Sequence, residues 1–443
     1  MDNDLKTGVS LLKQGLAPGN GDLLSQITVE TGGLADFIAD KYFREYIAGG
    51  GSKIKFVTGK AGSGKTHFLQ LLNIKAREQG FTVVGFSARD VWLHDFKEIY
   101  AEIFGKSDLE RCLKVCAEKI VSDLGYDFDA IPAGMTFADY LSSAGEFDAL
   151  IKKEIRNQLR TAFANNPIID NNFAIACTLL TGGILGHPML ESSNRELLLA
   201  WMSGDNAVKL PSLRKLGLSP SKITKYNARH MLRSLTEVHR MARSPGIIVF
   251  VDNMEVLIKS ASVDVVRYTK LRREDAYESF RELIDEIDSL RNIMFVCAFD
   301  RELIDDELYG VKSYQALWLR IQNEIIGNRF NHFSDIIDLD RFASERFTKE
   351  TLLAMSRKIA DAVNQFNLCA NGIGGDLADA FLSDAKFAKT SLPRQVALAT
   401  VDAGGSAGDS VDAGSGDGRR GQACLSRNQD AGAGGLTEVS DDD

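Results

Sequence analysis

One octapeptide limits what this chain can fold into more than any other feature: Gly59-Lys60-Ala61-Gly62-Ser63-Gly64-Lys65-Thr66 satisfies G-x-x-x-x-G-K-[ST] at every position. Glycines at these places let the backbone turn so that successive N–H groups converge on phosphate oxygens. The lysine brings positive charge to the β- and γ-phosphates, and the threonine hydroxyl is a ligand for Mg²⁺. The flanks suit that mechanism. Residues 54–58 form a short apolar run that reads as a buried strand, and apolar spacing predicts a helix over 65–79 whose N-terminal dipole faces the loop. All eight residues, and His67 after them, are therefore candidates for contact with ATP.

The rest of the chain is organised around that unit. Gly80 caps the helix and residues 81–86 read as a second strand, giving strand–loop–helix–strand, the opening of a doubly wound α/β domain. From about 93 to 241 the periodicity is helical almost throughout, a long insertion ahead of the next strand at 247–251. Further strands are expected at 293–298 and 336–339, and helices at 6–16, 34–47, 277–290, 349–366 and 377–387. The resulting division is N-terminal helices and the first part of the core at 1–104, a helical insertion at 105–243, the second part of the core at 244–345, a helical unit at 346–398 and a tail at 399–443. The tail is rich in Gly, Asp, Ser and Ala. It has too few apolar side chains to offset chain entropy and is expected to be disordered.

A phosphate loop also needs a carboxylate at the end of a neighbouring strand to hold the shell of the cation. Asp252 follows five apolar residues and is the candidate, with Thr66 as the other metal ligand. The next position, where a water-polarising acid commonly stands, is Asn253, which cannot take up a proton. Glu255, two residues on, is the candidate base, or else it begins the following helix. Binding is thus better supported than hydrolysis. Asp300, after the strand at 293–298, either reads the γ-phosphate or caps a helix.

Composition sets the class of protein. No apolar run approaches the ~20 residues that span a bilayer, and the N-terminus lacks the pattern of a signal peptide, so a cytoplasmic protein without a membrane partner is expected. Six cysteines are scattered without a CxxC pair, which points to reduced core thiols. The six histidines are spread out, and His230 and His239, which flank one basic stretch, have no Cys or acid at ligand spacing, so no metal beyond the nucleotide's Mg²⁺ is expected. The net charge is −9, and the nine acids and three arginines beyond residue 399 account for two-thirds of it. The remainder is near neutral and leaves room for a local basic face.

The order of phosphate-loop strand, helical insertion, Asp252 strand, Asp300 strand and closing helices resembles the AAA+ class of P-loop ATPases, an α/β core with a parallel sheet and a small helical lid, here the unit at 346–398. Under that resemblance Arg329, in Gly327-Asn328-Arg329-Phe330, corresponds to the arginine finger, with Arg320 competing for the role. Arg394, in Ser391-Leu392-Pro393-Arg394-Gln395, corresponds to a second arginine sensor on the lid. A finger generally acts in trans, so the resemblance implies a homo-oligomer. More narrowly, the chain is similar over about residues 5–398 to the smaller ATP-binding proteins of BREX phage-exclusion systems. The similarity runs through Leu12-Lys13-Gln14-Gly15-Leu16-Ala17-Pro18, Trp201-Met202-Ser203-Gly204-Asp205 and Tyr277-Glu278-Ser279-Phe280-Arg281, and departs at Asn253. It implies an ATPase working with other defence-system proteins against phage DNA.

A basic stretch stands apart from the nucleotide site. Lys222, Lys225, Arg229 and Arg233 recur at spacings of three and four, which predicts one helix face. Such a row can follow the backbone of double-stranded DNA, or it can be a solvated face paired with acids such as Asp285 and Asp288. Three functional readings follow: an ATPase that remodels or licenses partners or DNA, a nucleotide-gated switch with little hydrolysis, and a DNA-targeting regulator of the initiator or transposition type.

Overall fold

The computed structural model describes residues 2–29, 33–259, 268–325, 330–366, 370–385, 388 and 390–405. At its centre lie five strands: β1 (Ser52–Gly59), β2 (Thr82–Ser87), β3 (Ile247–Asp252), β4 (Ile293–Asp300) and β5 (Ile336–Asp338). Their order across the sheet is β2-β3-β4-β1-β5, and every pairing is parallel. These strands read as apolar runs because a parallel sheet is covered on both faces. Along β3, Ile247, Val249 and Val251 enter one apolar cluster while Ile248 and Phe250 enter the other.

The helix Lys65–Glu78 and the segment Ile38–Ile47 cover one face, through Phe68, Leu69, Leu72, Ile38 and Phe43. The other face is covered from the stretch between β2 and β3, including helices Phe96–Lys106, Leu109–Asp123, Asn171–Leu185 and Ala228–Met241. Their side chains, such as Phe96, Leu113, Phe173 and Leu232, belong to the same cluster as Phe295 and Cys297 of β4. The helical stretch and the sheet therefore share one core. Asp95, Asp108 and Asp170 start three of these helices by accepting backbone N–H groups of the first turn. Cys112, Cys116, Cys177 and Cys297 are buried and free, whereas Cys369 and Cys424 lie outside the described residues.

The N-terminal helices Asp2–Lys13 and Gly21–Ile27 follow chain order less closely than expected. Val9, Leu12, Leu23 and Ile27 cluster with Ile359, Ala360 and Val363 of the helix Lys349–Asn364, and with Ala397 of the helix Leu392–Gly405. The N-terminal helices and the last described helices are thus joined in one apolar cluster. The tail, expected to be disordered, lies outside the described residues from 406 onward. No described helix is long and apolar enough to cross a membrane.

Register aligns the polar ends of the strands. Gly59 pairs with Asp300, Ser87 with Asp252, and Thr58 with Asp338, so the carboxyl edge of the sheet carries a row of acids beside the glycine-rich loop. In open α/β sheets that edge is where ligands bind.

Candidate nucleotide-binding site

The loop leaves β1 at Gly59 and enters the helix at Lys65. Gly62 lies at φ 82°, a left-handed conformation that favours glycine, and a Cβ at Gly59 would stand 2.4 Å from the Ser63 hydroxyl. The glycines thus keep the loop tight and its backbone exposed to the cleft. Lys65 is buried beneath it, donating to the carbonyls of Gly59 at 3.1 Å and Lys60 at 3.0 Å. Its ammonium also sits 2.9 Å from Asp300 Oδ1. Thr66 donates its hydroxyl to Asp252 Oδ2 at 2.7 Å, joining the loop to the end of β3.

Around that junction the structure gathers the other acids. Asp300 holds Lys259 as well as Lys65. Burial opposes its charge, but the hydrogen bonds from Lys259 and Lys65 outweigh burial and hold its carboxyl below the usual range. Asn253 adopts φ 62°, and its side-chain oxygen accepts from the Ser87 hydroxyl at 3.1 Å. Glu255, 5% exposed, accepts the Asp300 N–H at 3.3 Å and faces Arg89 at 3.7 Å. Glu255 thus sits in a short turn, Met254–Leu257, within the cluster.

These residues line a cleft of about 420 Å³. Its far wall is apolar and includes Leu16, Ile27, Val29, Phe347, Met355 and Ile359, which sequence reading did not single out. Only the clustering of the N-terminal helices with the last described helices brings them together, so no local pattern announced them. His67 borders the cleft with its Nε2 2.9 Å from the Thr28 hydroxyl, and burial pushes its pKa down to about 4. Arg394 also lines the cleft: it packs over Gly62, and its guanidinium donates to the Gln14 carbonyl at 3.4 Å. Asp340 is a further residue the sequence did not flag. Its carboxylate accepts the Lys60 N–H at 2.6 Å and the Ser391 hydroxyl at 2.7 Å, binding the loop to the segment that carries Arg394.

Other candidates lie elsewhere. Arg329 falls outside the described residues. Arg320 is not among the cleft residues and grips Asp285 with two hydrogen bonds, at 2.9 and 2.8 Å. The basic row is corrected. The helix begins only at Ala228, so Lys222 and Lys225 sit in the preceding turn and do not share a helix face with Arg229 and Arg233. The cause is Asn227, whose amide accepts the Thr224 N–H at 2.7 Å and donates to the Lys222 carbonyl at 3.1 Å, closing a turn that competes with helix. Arg229 is held by Glu282 and Glu286, and Lys225 lies 3.6 Å from Asp275. Among the described residues no group of three or more His, Cys, Asp or Glu is arranged to hold a metal ion by itself.

Five parallel strands, with a glycine-rich loop on one central strand and a carboxylate at the end of another, are those of a P-loop NTPase-like protein. The chain belongs to the family of BREX system ATP-binding proteins BrxC/D, whose model matches residues 4–394. Comparison with curated proteins and with solved structures gave no match.

Proposed function

We propose that the chain is a Mg²⁺-dependent ATPase with an AAA+ core, in which nucleotide at the 59–66 loop drives assembly and the remodelling or licensing of partners in anti-phage defence. The observation that carries this reading is the 2.7 Å hydrogen bond from Thr66 to Asp252. It sets a hydroxyl beside a carboxylate at the mouth of the loop, the oxygen chemistry that Mg²⁺ takes up together with water. The rest of the cleft suits ATP: a cradle that a Cβ would crowd, a buried ammonium beneath it and an apolar wall for the base. Bound Mg²⁺ would neutralise phosphate charge, with Thr66 and Asp252 holding its shell. Lys65 contacts the β- and γ-phosphates, Glu255 is the base that orients water, and Arg394 acts from the lid at 346–398. The AAA+ reading adds a homo-oligomer in which Arg329 or Arg320 reaches a neighbour's nucleotide, with other defence-system proteins as partners.

Phosphate release from ATP by purified protein tests this. Turnover that requires Mg²⁺ and is lost in Lys65→Ala and Glu255→Gln supports the ATPase. Asn253 favours a second reading, a nucleotide-gated switch, because its side chain is an amide bonded to Ser87. In that case the wild type releases no phosphate, while ATP still changes its particle size in solution.

A further inference from the structure

The charged side chains around Lys65 and the ends of β3 and β4 form a nearly closed set. Asp300 is shared between two lysines: Oδ1 lies 2.9 Å from Lys65, and Oδ2 accepts from Lys259. Glu255 faces Arg89 at 3.7 Å, and Asp252 accepts the Thr66 hydroxyl and the Asn253 N–H. As arranged, the lysine that would serve a phosphate is neutralised by an acid of the same chain. To reach a nucleotide it must leave Asp300, whose side chain is only 13% exposed. An acid so enclosed and left without a counter-charge is strongly disfavoured.

Lys259 removes that obstacle. It stands just beyond the turn Met254–Leu257, the one lysine after an otherwise apolar or acidic run, and its side chain is 45% exposed. It is therefore free enough to follow Asp300 and is not a strut of the core. Once Lys65 has turned to the phosphates, each charge keeps one partner: Asp300 with Lys259, and Glu255 with Arg89.

We propose that Lys259 is a positioning residue for nucleotide binding: it takes over Asp300 so that Lys65 can pass from that carboxylate to the phosphates of an incoming nucleoside triphosphate. The proposal rests on the reading of the 59–66 loop as the nucleotide site. It differs from a direct contact between Lys259 and phosphate in one respect: the effect of Lys259 exists only while Asp300 is charged.

The test is a double-mutant cycle on the full chain, measuring equilibrium binding of the non-hydrolysable analogue AMP-PNP with Mg²⁺ by titration calorimetry. Neighbouring charges couple strongly, so Lys259→Met is expected to weaken binding about tenfold in the wild type and by less than about twofold in Asp300→Asn. Lys259→Arg, which keeps the charge, should bind like the wild type, and thermal melts identify any variant that fails to fold. Wild-type affinity in Lys259→Met overturns the proposal. So does an equal loss in both backgrounds, which would make Lys259 a phosphate ligand. Lys65→Ala distinguishes failure at Lys259 from failure of the loop: if it binds as tightly as the wild type, the loop itself is not the nucleotide site.

Discussion

Arg394 packs over Gly62 so closely that a Cβ at position 62 would lie 2.5 Å from the arginine's own Cβ. A residue near the C-terminal end of the described chain thereby rests on the phosphate loop. Gly62→Ala should fail twice, because its φ of 82° costs an L-residue roughly 1–2 kcal/mol and the added methyl displaces Arg394. Nucleotide affinity should fall by more than tenfold, with a lower melting temperature, in calorimetric titration and thermal melts. An alanine variant that binds like the wild type would show that the loop and Arg394 are not in contact.

Asp340 ties the loop to the segment before Arg394 through Lys60 and Ser391. Hydrogen bonds to a charged acceptor contribute about 1.5–3 kcal/mol, so Asp340→Ala should weaken ATP binding about tenfold. Asp340→Asn should retain most of it, since an amide can accept from Lys60 and donate to the Ser391 hydroxyl. Equal effects of the two substitutions would show that hydrogen bonding at position 340 does not support binding.

His67 gives a pH dependence with a definite sign. Its pKa falls from 6.5 to about 4 on burial, so the folded state binds fewer protons than the unfolded one between those values. Its contribution to stability is full above pH 6.5 and is lost as pH falls toward 4. Between pH 7 and pH 5 the melting temperature of the wild type should drop further than that of His67→Gln. Parallel curves for the two proteins would count against a neutral, enclosed imidazole.

Arg320 and Asp285 form a pair within one chain, both about one-third exposed. Exposed pairs contribute little to stability, because water and salt screen them. Arg320→Ala should therefore shift the melting temperature by no more than a few degrees. If Arg320 is also the finger, phosphate release should fall at least about a hundredfold while ATP affinity is kept, as expected for loss of a residue acting mainly on the transition state. Unchanged turnover would leave Arg329 as the remaining candidate.

The sheet and the grouping of the 59–66 loop with Asp252 and Asp300 were legible because their signals are local. β3 and β4 are unbroken apolar runs ending at Asp252 and Asp300, and β1, though it carries Lys53 and Lys55, leads directly into the glycine-rich octapeptide at Gly59. The apolar part of the cleft was not legible, since Thr28 meets Lys358, and Gln14 meets Arg394, across more than three hundred residues. Nor could spacing alone place Lys222 and Lys225. Their basic period is compatible with a helix, but Asn227 spends its amide on a turn, and hydrogen bonding by one side chain overrode the period.

If Lys65 and the Thr66–Asp252 pair make the 59–66 loop a Mg²⁺-dependent ATP site, equilibrium binding of ATP to the wild type, Lys65→Ala and Thr66→Ala, with Mg²⁺ and with chelator, will show it. The wild type should bind, and more weakly once Mg²⁺ is removed; Thr66→Ala should show little Mg²⁺ dependence, and Lys65→Ala should nearly lose binding. Wild-type affinity in Lys65→Ala, with all three proteins folded, would mean that the loop is not the ATP site.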